Sequence, residues 1–282
     1  MQVWVDGVLA DAATPRISPL DHGLLVGDGV FETLRVYGGV PFAWRRHYER
    51  LCLSAGGLGL AVPAAAELRA AADAVLTAEG LAGPGPGARL RITVTGGISP
   101  LGSARGDLPP TVIVAASPLV PADEPADVVT VPWARNERGA VAGLKTISYA
   151  ENVRALAYAS ERGAAEAVFP NTRGDLCEAT GSNVFLVLGG VLHTPPADSG
   201  CLLGVTRALV LEQAHEIGVP VEEVDLPLDA LHRADEAFLS STTREVQAIA
   251  SVDARPLPVA PGPVTVRLTD AFGALVARDL DP

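Results

Sequence analysis

The chain has 282 residues, 48% of them hydrophobic, and a formal net charge of −12. That length and composition fit an ordinary globular protein of one large or two smaller domains and exclude a disordered chain. The acidic balance excludes a non-specific nucleic-acid binder, which needs a basic face, and no apolar run is long enough for a membrane span.

QVWVDGVLA at 2–10 alternates around a DG turn and predicts a strand pair. GVFETLRVYGGVPFAW at 29–44 repeats the pattern with YGG as its turn. RRHYERLCLSAGGL at 45–58 has helical spacing up to its glycines, and PAAAELRAAADAVLTAEG at 63–80 predicts a second amphipathic helix. ARLRITVTGG at 88–97 and PTVIVAASPLV at 110–120 read as strands on either side of the glycine- and proline-rich loop SPLGSARGDLPP. The proline-rich, acidic stretch 118–127 reads as a linker between a small domain over 1–117 and a larger one over 128–282.

In the second part ADVVTVPW predicts a strand and SYAENVRALAYASERG a helix. EAVFPNTRGDLCEATGSNVFLVLGGVLHTPP predicts a run of strands and hairpins, the most apolar of them VFLVLGGVL at 184–192. GVTRALVLEQAHEIGV predicts a helix, VPVEEVDLP a strand, DALHRADEAFLSS a helix or turn entering a strand, and the tail PVTVRLTDAFGALVARDL a closing helix. Strands and helices in this mixture predict an α+β architecture. MQVWVDG shows no signal-peptide pattern, and Cys52, Cys177 and Cys201 leave one cysteine unpaired under any disulfide scheme. A reducing cytoplasm is the expected compartment. Neither the cysteines nor the five histidines have metal-ligand spacing, so no metal is expected.

Lys145 is the only lysine, against 20 arginines. Where only charge or solvation is needed, such a composition uses arginine. The exception points to chemistry that a permanently protonated guanidinium cannot do, such as Schiff-base formation with a carbonyl. Three further features agree. Glu178 in CEATGSNVF offers an anion, GVTR at 204–207 opens a helix whose free N–H groups suit a phosphate, and LSSTT at 239–243 offers hydroxyls and amides. A lysine, an anion for a ring nitrogen and two phosphate cradles are what pyridoxal 5′-phosphate requires.

DHGLLVGDGVFETLRV, RHYERL, GLKTISYAENV, LCEATGSNVFLV, LHTPP, GCLLGVTRALV and RADEAFLSSTTREV occur in this order. With these motifs the chain resembles the class IV aminotransferases, the fold-type IV pyridoxal-phosphate enzymes, over nearly its whole length. The resemblance implies a small α/β N-terminal domain, a larger β-rich C-terminal domain and the cofactor between them. It also implies a homodimer in which each active site takes residues from the neighbouring subunit. Position by position, Lys145 resembles the Schiff-base lysine, Arg50 the arginine on the cofactor phosphate and Glu178 the partner of the pyridine nitrogen. Val205, Thr206 and Thr242 match phosphate contacts, Thr243 matches a position whose amide faces the substrate carboxylate, and Tyr149 lies where relatives place a residue near the cofactor hydroxyl.

The substrate side divides the family. Phe31 and Thr33 lie on a strand that alternates toward the pocket, and Thr33 resembles the pocket threonine of the aminodeoxychorismate lyases. The N-terminal half is similar to D-amino-acid aminotransferases. Yet ITVTGGISP lacks their carboxylate-binding arginine and histidine, and Phe31 stands where they carry tyrosine. Arg91 and Arg105 are the remaining cationic candidates for substrate. The resemblance therefore implies a transaminase that moves an amino group from an amino acid, a D-amino acid foremost, or a primary amine to a 2-oxo acid. The alternative is a lyase that releases pyruvate and 4-aminobenzoate from aminodeoxychorismate.

Overall fold

The computed structural model describes residues 1–14, 17–120 and 125–282. Contacts divide the chain into two compact units. The first comprises Met1–Val120, Leu144–Ser148 and Asp279–Pro282; the second comprises Pro121–Gly143 and Tyr149–Arg278. Part of the expected linker, 121–124, lies outside the described residues.

The first unit is built on an antiparallel sheet of β1 (Gln2–Val5), β2 (Val8–Asp11), β3 (Gly29–Tyr37), β4 (Val40–Pro41), β5 (Ala88–Thr95) and β6 (Val112–Pro118), in the order β2-β1-β6-β5-β3-β4. The predicted DG turn joins β1 to β2, with Asp6 and Gly7 both at positive φ (46° and 93°). Two successive left-handed residues give the hairpin turn that matches strand twist. The short helix α1 (His22–Val26) is capped by Asp21, whose carboxylate accepts from the Gly23 N–H at 2.8 Å. Helices α2 (Trp44–Leu58) and α3 (Ala65–Ala78) lie where the spacing predicts them. Gly59, at φ 68°, terminates α2.

Alternation decides which strand residues meet the helices. Val30, Leu34 and Val36 of β3, with Leu90, Ile92 and Val94 of β5, form one buried cluster with Leu51, Leu68, Val75 and Leu76. The register pairs Phe31 with Thr93 and Thr33 with Arg91, so these four residues share the opposite sheet face.

Residues 144–148, expected beyond the linker, pack instead with this unit. Phe31 donates its backbone N–H to the Lys145 carbonyl at 3.0 Å, Ile147 donates to the Gly29 carbonyl at 2.9 Å, and Val30 bridges Thr146. The segment thus extends the free edge at the start of β3. The C-terminus joins the same unit, where Ala43 donates to the Leu280 carbonyl at 2.7 Å.

The second unit contains β7 (Ala126–Thr130), α4 (Ala150–Ser160), β8 (Glu166–Pro170), β9 (Leu176–Ala179), β10 (Asn183–Leu188), β11 (Val191–Thr194) and α5 (Val205–Glu216). It continues with β12 (Val221–Glu223), α6 (Ala230–Arg233), β13 (Glu236–Ser241), β14 (Glu245–Val252), β15 (Arg255–Pro256) and α7 (Pro263–Arg278). Its mixed sheet runs β12-β11-β10-β13-β14-β7-β8-β9, with β15 on β14. Asn183–Val187 of β10 is buried at every position, as its continuous apolar run implies for a strand covered on both faces. Phe185 stacks on Phe238 of the neighbouring strand, with centroids 4.8 Å apart. Val128, Val168, Leu176, Leu186, Leu239 and Ile249 belong to the main core of this unit, and α4 buries Ala155 and Ala159 against Val129, Val131 and Phe169.

Candidate active site

In the first unit Lys145 is fixed through its backbone. Its N–H donates to the Ser54 hydroxyl of α2 at 3.1 Å and its carbonyl holds Phe31. Its Nζ lies 4.4 Å from the centroid of the Phe31 ring. The Arg91 guanidinium lies 3.8 Å from the same centroid and donates through Nε to Thr93 Oγ1 at 3.1 Å. Phe31, Thr33, Arg91 and Lys145 therefore form one cluster, with an amine and a guanidinium against one aromatic ring.

Arg50 reaches the other face of β3. Its Nε and Nη2 donate to the two oxygens of Glu32 at 2.7 and 2.8 Å. His47, one turn earlier on α2, meets the same carboxylate at 2.7 Å through Nδ1. Glu32 is fully buried. Burial alone would push its carboxyl up, but Arg50 and His47 outweigh that and hold it well below the usual range. Burial, with the charges of Arg50 and Lys145, lowers the His47 pKa although Glu32 raises it. The pair is thus a carboxylate receiving the Nδ1–H of a neutral imidazole.

Arg105 is engaged next to the start of β3, by Asp28. Its fork grips both oxygens of Asp28 at 2.6 Å, and Nη1 donates to the Gly59 carbonyl at 3.3 Å. The hydrogen bonds from Arg105 lower the Asp28 pKa, against the effect of burial, and the same bonds raise that of Arg105.

In the second unit Glu178 lies on β9. Its Oε2 accepts from the Leu202 N–H at 2.9 Å and its Oε1 from Arg135 Nε at 3.2 Å. Nothing in the sequence marked Arg135, which stands 43 residues before Glu178 and meets it only in the fold.

Val205 and Thr206 open α5 and both are buried. The N-cap, Gly204, supplies no side chain to the free N–H groups. A Cβ at Gly204 would sit 2.2 Å from Asn183 Oδ1, whose amide is held by the Leu202 carbonyl at 2.7 Å. Asn183 pairs with Ser240 across the sheet. The buried hydroxyls of Ser182 and Ser240 have no hydrogen-bond partner among the described residues. A bare helix N-terminus with unsatisfied hydroxyls nearby fits a phosphate. The donors of the second unit thus fit the ring nitrogen and the phosphate of pyridoxal 5′-phosphate, with a carboxylate and a cradle; the first unit, taken by itself, offers an amine suited to an aldehyde. Thr242 and Thr243 form the turn between β13 and β14, and Tyr149 is the N-cap residue of α4. No group of His, Cys, Asp and Glu able to hold a metal occurs among the described residues, and none of their helices is long and apolar enough to cross a membrane.

The comparisons with known proteins give the family. The description "Amino-transferase class IV" matches residues 29–252. A Methanocaldococcus jannaschii protein provisionally named a branched-chain-amino-acid aminotransferase is 34% identical over 90% of this chain and 89% of its own. A Listeria monocytogenes D-alanine aminotransferase is 33% identical over 96% of this chain and 95% of its own. A Bacillus subtilis aminodeoxychorismate lyase is 32% identical over 86% and 84%. Among solved structures, the branched-chain aminotransferase of Escherichia coli superposes with a TM-score of 0.91 at 30% identity, covering 97% of this chain and 94% of that one. The chain belongs to the class IV aminotransferases, a family of pyridoxal-phosphate enzymes.

Proposed function

We propose that this protein is a pyridoxal-phosphate-dependent transaminase that takes an amino group from an amino acid, D-amino acids preferred, or a primary amine and passes it to a 2-oxo acid. The observation that carries this reading is the cluster around Phe31. The sole lysine is pinned there by its backbone, with its amine and the Arg91 guanidinium on one ring. Similarity to the D-alanine aminotransferases supports the preference for D-donors.

When bound, pyridoxal phosphate supplies an aldehyde that joins amines and a ring that withdraws electrons from them. Lys145 would hold that aldehyde through its amine, and its Nζ would carry a proton to and from the donor α-carbon. Glu178 keeps a negative charge at the ring nitrogen. Arg50, the Val205 and Thr206 amides, the Thr206 hydroxyl and Thr242 grip the phosphate. Tyr149 would face the cofactor hydroxyl, while Thr243 and Arg91 would hold the donor carboxylate. Arg91 is preferred to Arg105 because its guanidinium lies on the Phe31 ring that also carries the Lys145 amine. Phe31 and Thr33 form the pocket wall.

A second reading has its own support. Thr33 shares the open face of β3 with Phe31, and the Bacillus subtilis lyase is nearly as similar as the transaminases. That reading is an aminodeoxychorismate lyase releasing pyruvate and 4-aminobenzoate. The deciding experiment mixes the cofactor-loaded protein with D- and L-amino acids and small amines and follows its absorbance, with aminodeoxychorismate assayed in parallel. Bleaching by D-amino acids that an oxo acid reverses supports the transaminase. Inert amines together with rapid pyruvate release install the lyase.

A homodimeric assembly with partner residues in each site, acting in the cytoplasm, belongs to the same proposal and rests on the family resemblance. Sedimentation at micromolar concentration tests it.

A further inference from the structure

We infer that Arg135 is a positioning residue that aims the Glu178 carboxylate and shares its charge. The inference rests on the role proposed for Glu178. It starts from a chain of contacts that lies wholly in the second unit.

The Arg135 guanidinium is fixed on three sides. It lies 4.3 Å from the Phe169 ring centroid, Nη1 donates to Asn152 Oδ1 at 3.0 Å, and Nε donates to Glu178 Oε1 at 3.2 Å. Its side chain is only 16% exposed. Asn152 is itself held, because its amide donates to the Thr180 carbonyl and the Thr180 hydroxyl donates to the buried Glu166. Glu166 in turn faces Arg244 at 3.6 Å, beside Thr243. An arginine braced in this way presents Nε to Glu178 in one direction only. With the Leu202 N–H on the other oxygen, the carboxylate plane is fixed by two donors on separate elements.

The charge balance follows from the same contacts. The ionisable groups facing Glu178 and Arg135 are Glu151, 3.4 Å from Arg135 Nη1 and mostly exposed, and the thiols of Cys177 and Cys201. Burial pushes both thiols up, so they stay neutral and add no charge. The guanidinium therefore faces two carboxylates, of which Glu178 is the more buried and Glu151 is mostly exposed. A base that holds a ring nitrogen must be anionic without being so strong that it fixes the proton permanently. The shared hydrogen bond sets that compromise.

The test is a double-mutant cycle read in the spectrum of the cofactor-loaded protein. The measured quantity is the pH midpoint at which the bound cofactor's absorption bands interconvert. Removing a nearby cation favours the protonated form. Arg135→Gln is therefore expected to raise the midpoint by roughly one pH unit. In a Glu178→Gln background the same substitution is expected to shift it by less than half as much, because Arg135 acts through that carboxylate. Arg135→Lys keeps a charge but cannot reach Glu178 and Asn152 together. It should hold the midpoint near the parent value while slowing the amino-donor half-reaction by roughly tenfold. Equal shifts in both backgrounds, or none in either, overturn the role. So does an Arg135→Lys protein with the parent's half-reaction rate, a comparison that stands even if Arg135→Gln fails to fold. A parent protein that takes no cofactor overturns the functional reading and this role with it. A parent that takes cofactor while all variants titrate alike overturns this role alone.

Discussion

Arg50 and Glu32 form a two-point ion pair in which Nε and Nη2 of the guanidinium meet the two oxygens of a fully buried carboxylate. The pair fixes the guanidinium plane along the Nε–Nη2 edge of the fork. The arginine proposed to grip the phosphate is thus oriented before any ligand arrives, which lowers the ordering cost of binding.

Glu32→Gln should expose the value of that orientation. Breaking a buried pair while leaving one charge behind costs about 3 kcal/mol or more. The variant should unfold at lower denaturant, and its folded fraction should bind pyridoxal phosphate about tenfold more weakly, with a smaller change for unphosphorylated pyridoxal. Unchanged phosphate preference would separate Glu32 from the phosphate grip.

The pair with His47 gives stability a defined pH dependence. Burial depresses the His47 pKa below its ordinary 6.5, so the unfolded chain binds a proton there that the folded chain does not. Its contribution is present above pH 6.5 and declines as the pH falls below it. Glu32 has the same sign, and its share fades only as the pH drops below its ordinary 4.5. Urea unfolding midpoints should fall from pH 6.5 to pH 5 in the parent protein, and His47→Gln should flatten that interval. An equal slope in the variant would assign the dependence to other groups.

Arg91 and Arg105 should separate in kinetics. Removing a charge-assisted bond to the substrate carboxylate costs about 1.5–3 kcal/mol. Arg91→Ala should therefore raise KM for amino acids by roughly tenfold to a hundredfold and change KM for simple amines much less. Arg105→Ala releases Asp28 and the Gly59 carbonyl, so its main effect should be on stability and loop order. The reverse pattern would move the carboxylate contact to Arg105.

Gly204→Ala tests the phosphate cradle. The added Cβ would collide with Asn183, and turning that amide away breaks its bond to the Leu202 carbonyl. The variant should lose most of the preference for pyridoxal phosphate over pyridoxal, measured by equilibrium dialysis. A retained preference would place the phosphate elsewhere.

Much of this was legible in the sequence because the signals are local. The DG hairpin, the spacing of α2 and α3 and the continuous apolar run of β10 each mark an element within a dozen or so residues. Helix α1 escaped because five residues with an internal glycine show no helical period, and β14 escaped because Gln, Ala and Ser interrupt its pattern. The Arg50–Glu32 pair lies within reach of a sequence argument because strand and helix are adjacent and the partners stand only 18 positions apart. The partners of Glu178 and Arg105 were not legible. Arg135 approaches Glu178 across 43 residues, and Asp28 engages Arg105 across 77. The placement of 144–148 beside β3 was hidden for another reason. It rests on backbone hydrogen bonds that any side chains would allow.

The central claim is that the single lysine carries the cofactor. The most direct measurement is borohydride reduction of the protein loaded with pyridoxal phosphate, followed by peptide mass spectrometry. The account predicts one phosphopyridoxyl adduct, on Lys145, absent from Lys145→Ala. A loaded, reduced parent protein with no adduct on Lys145 would contradict it.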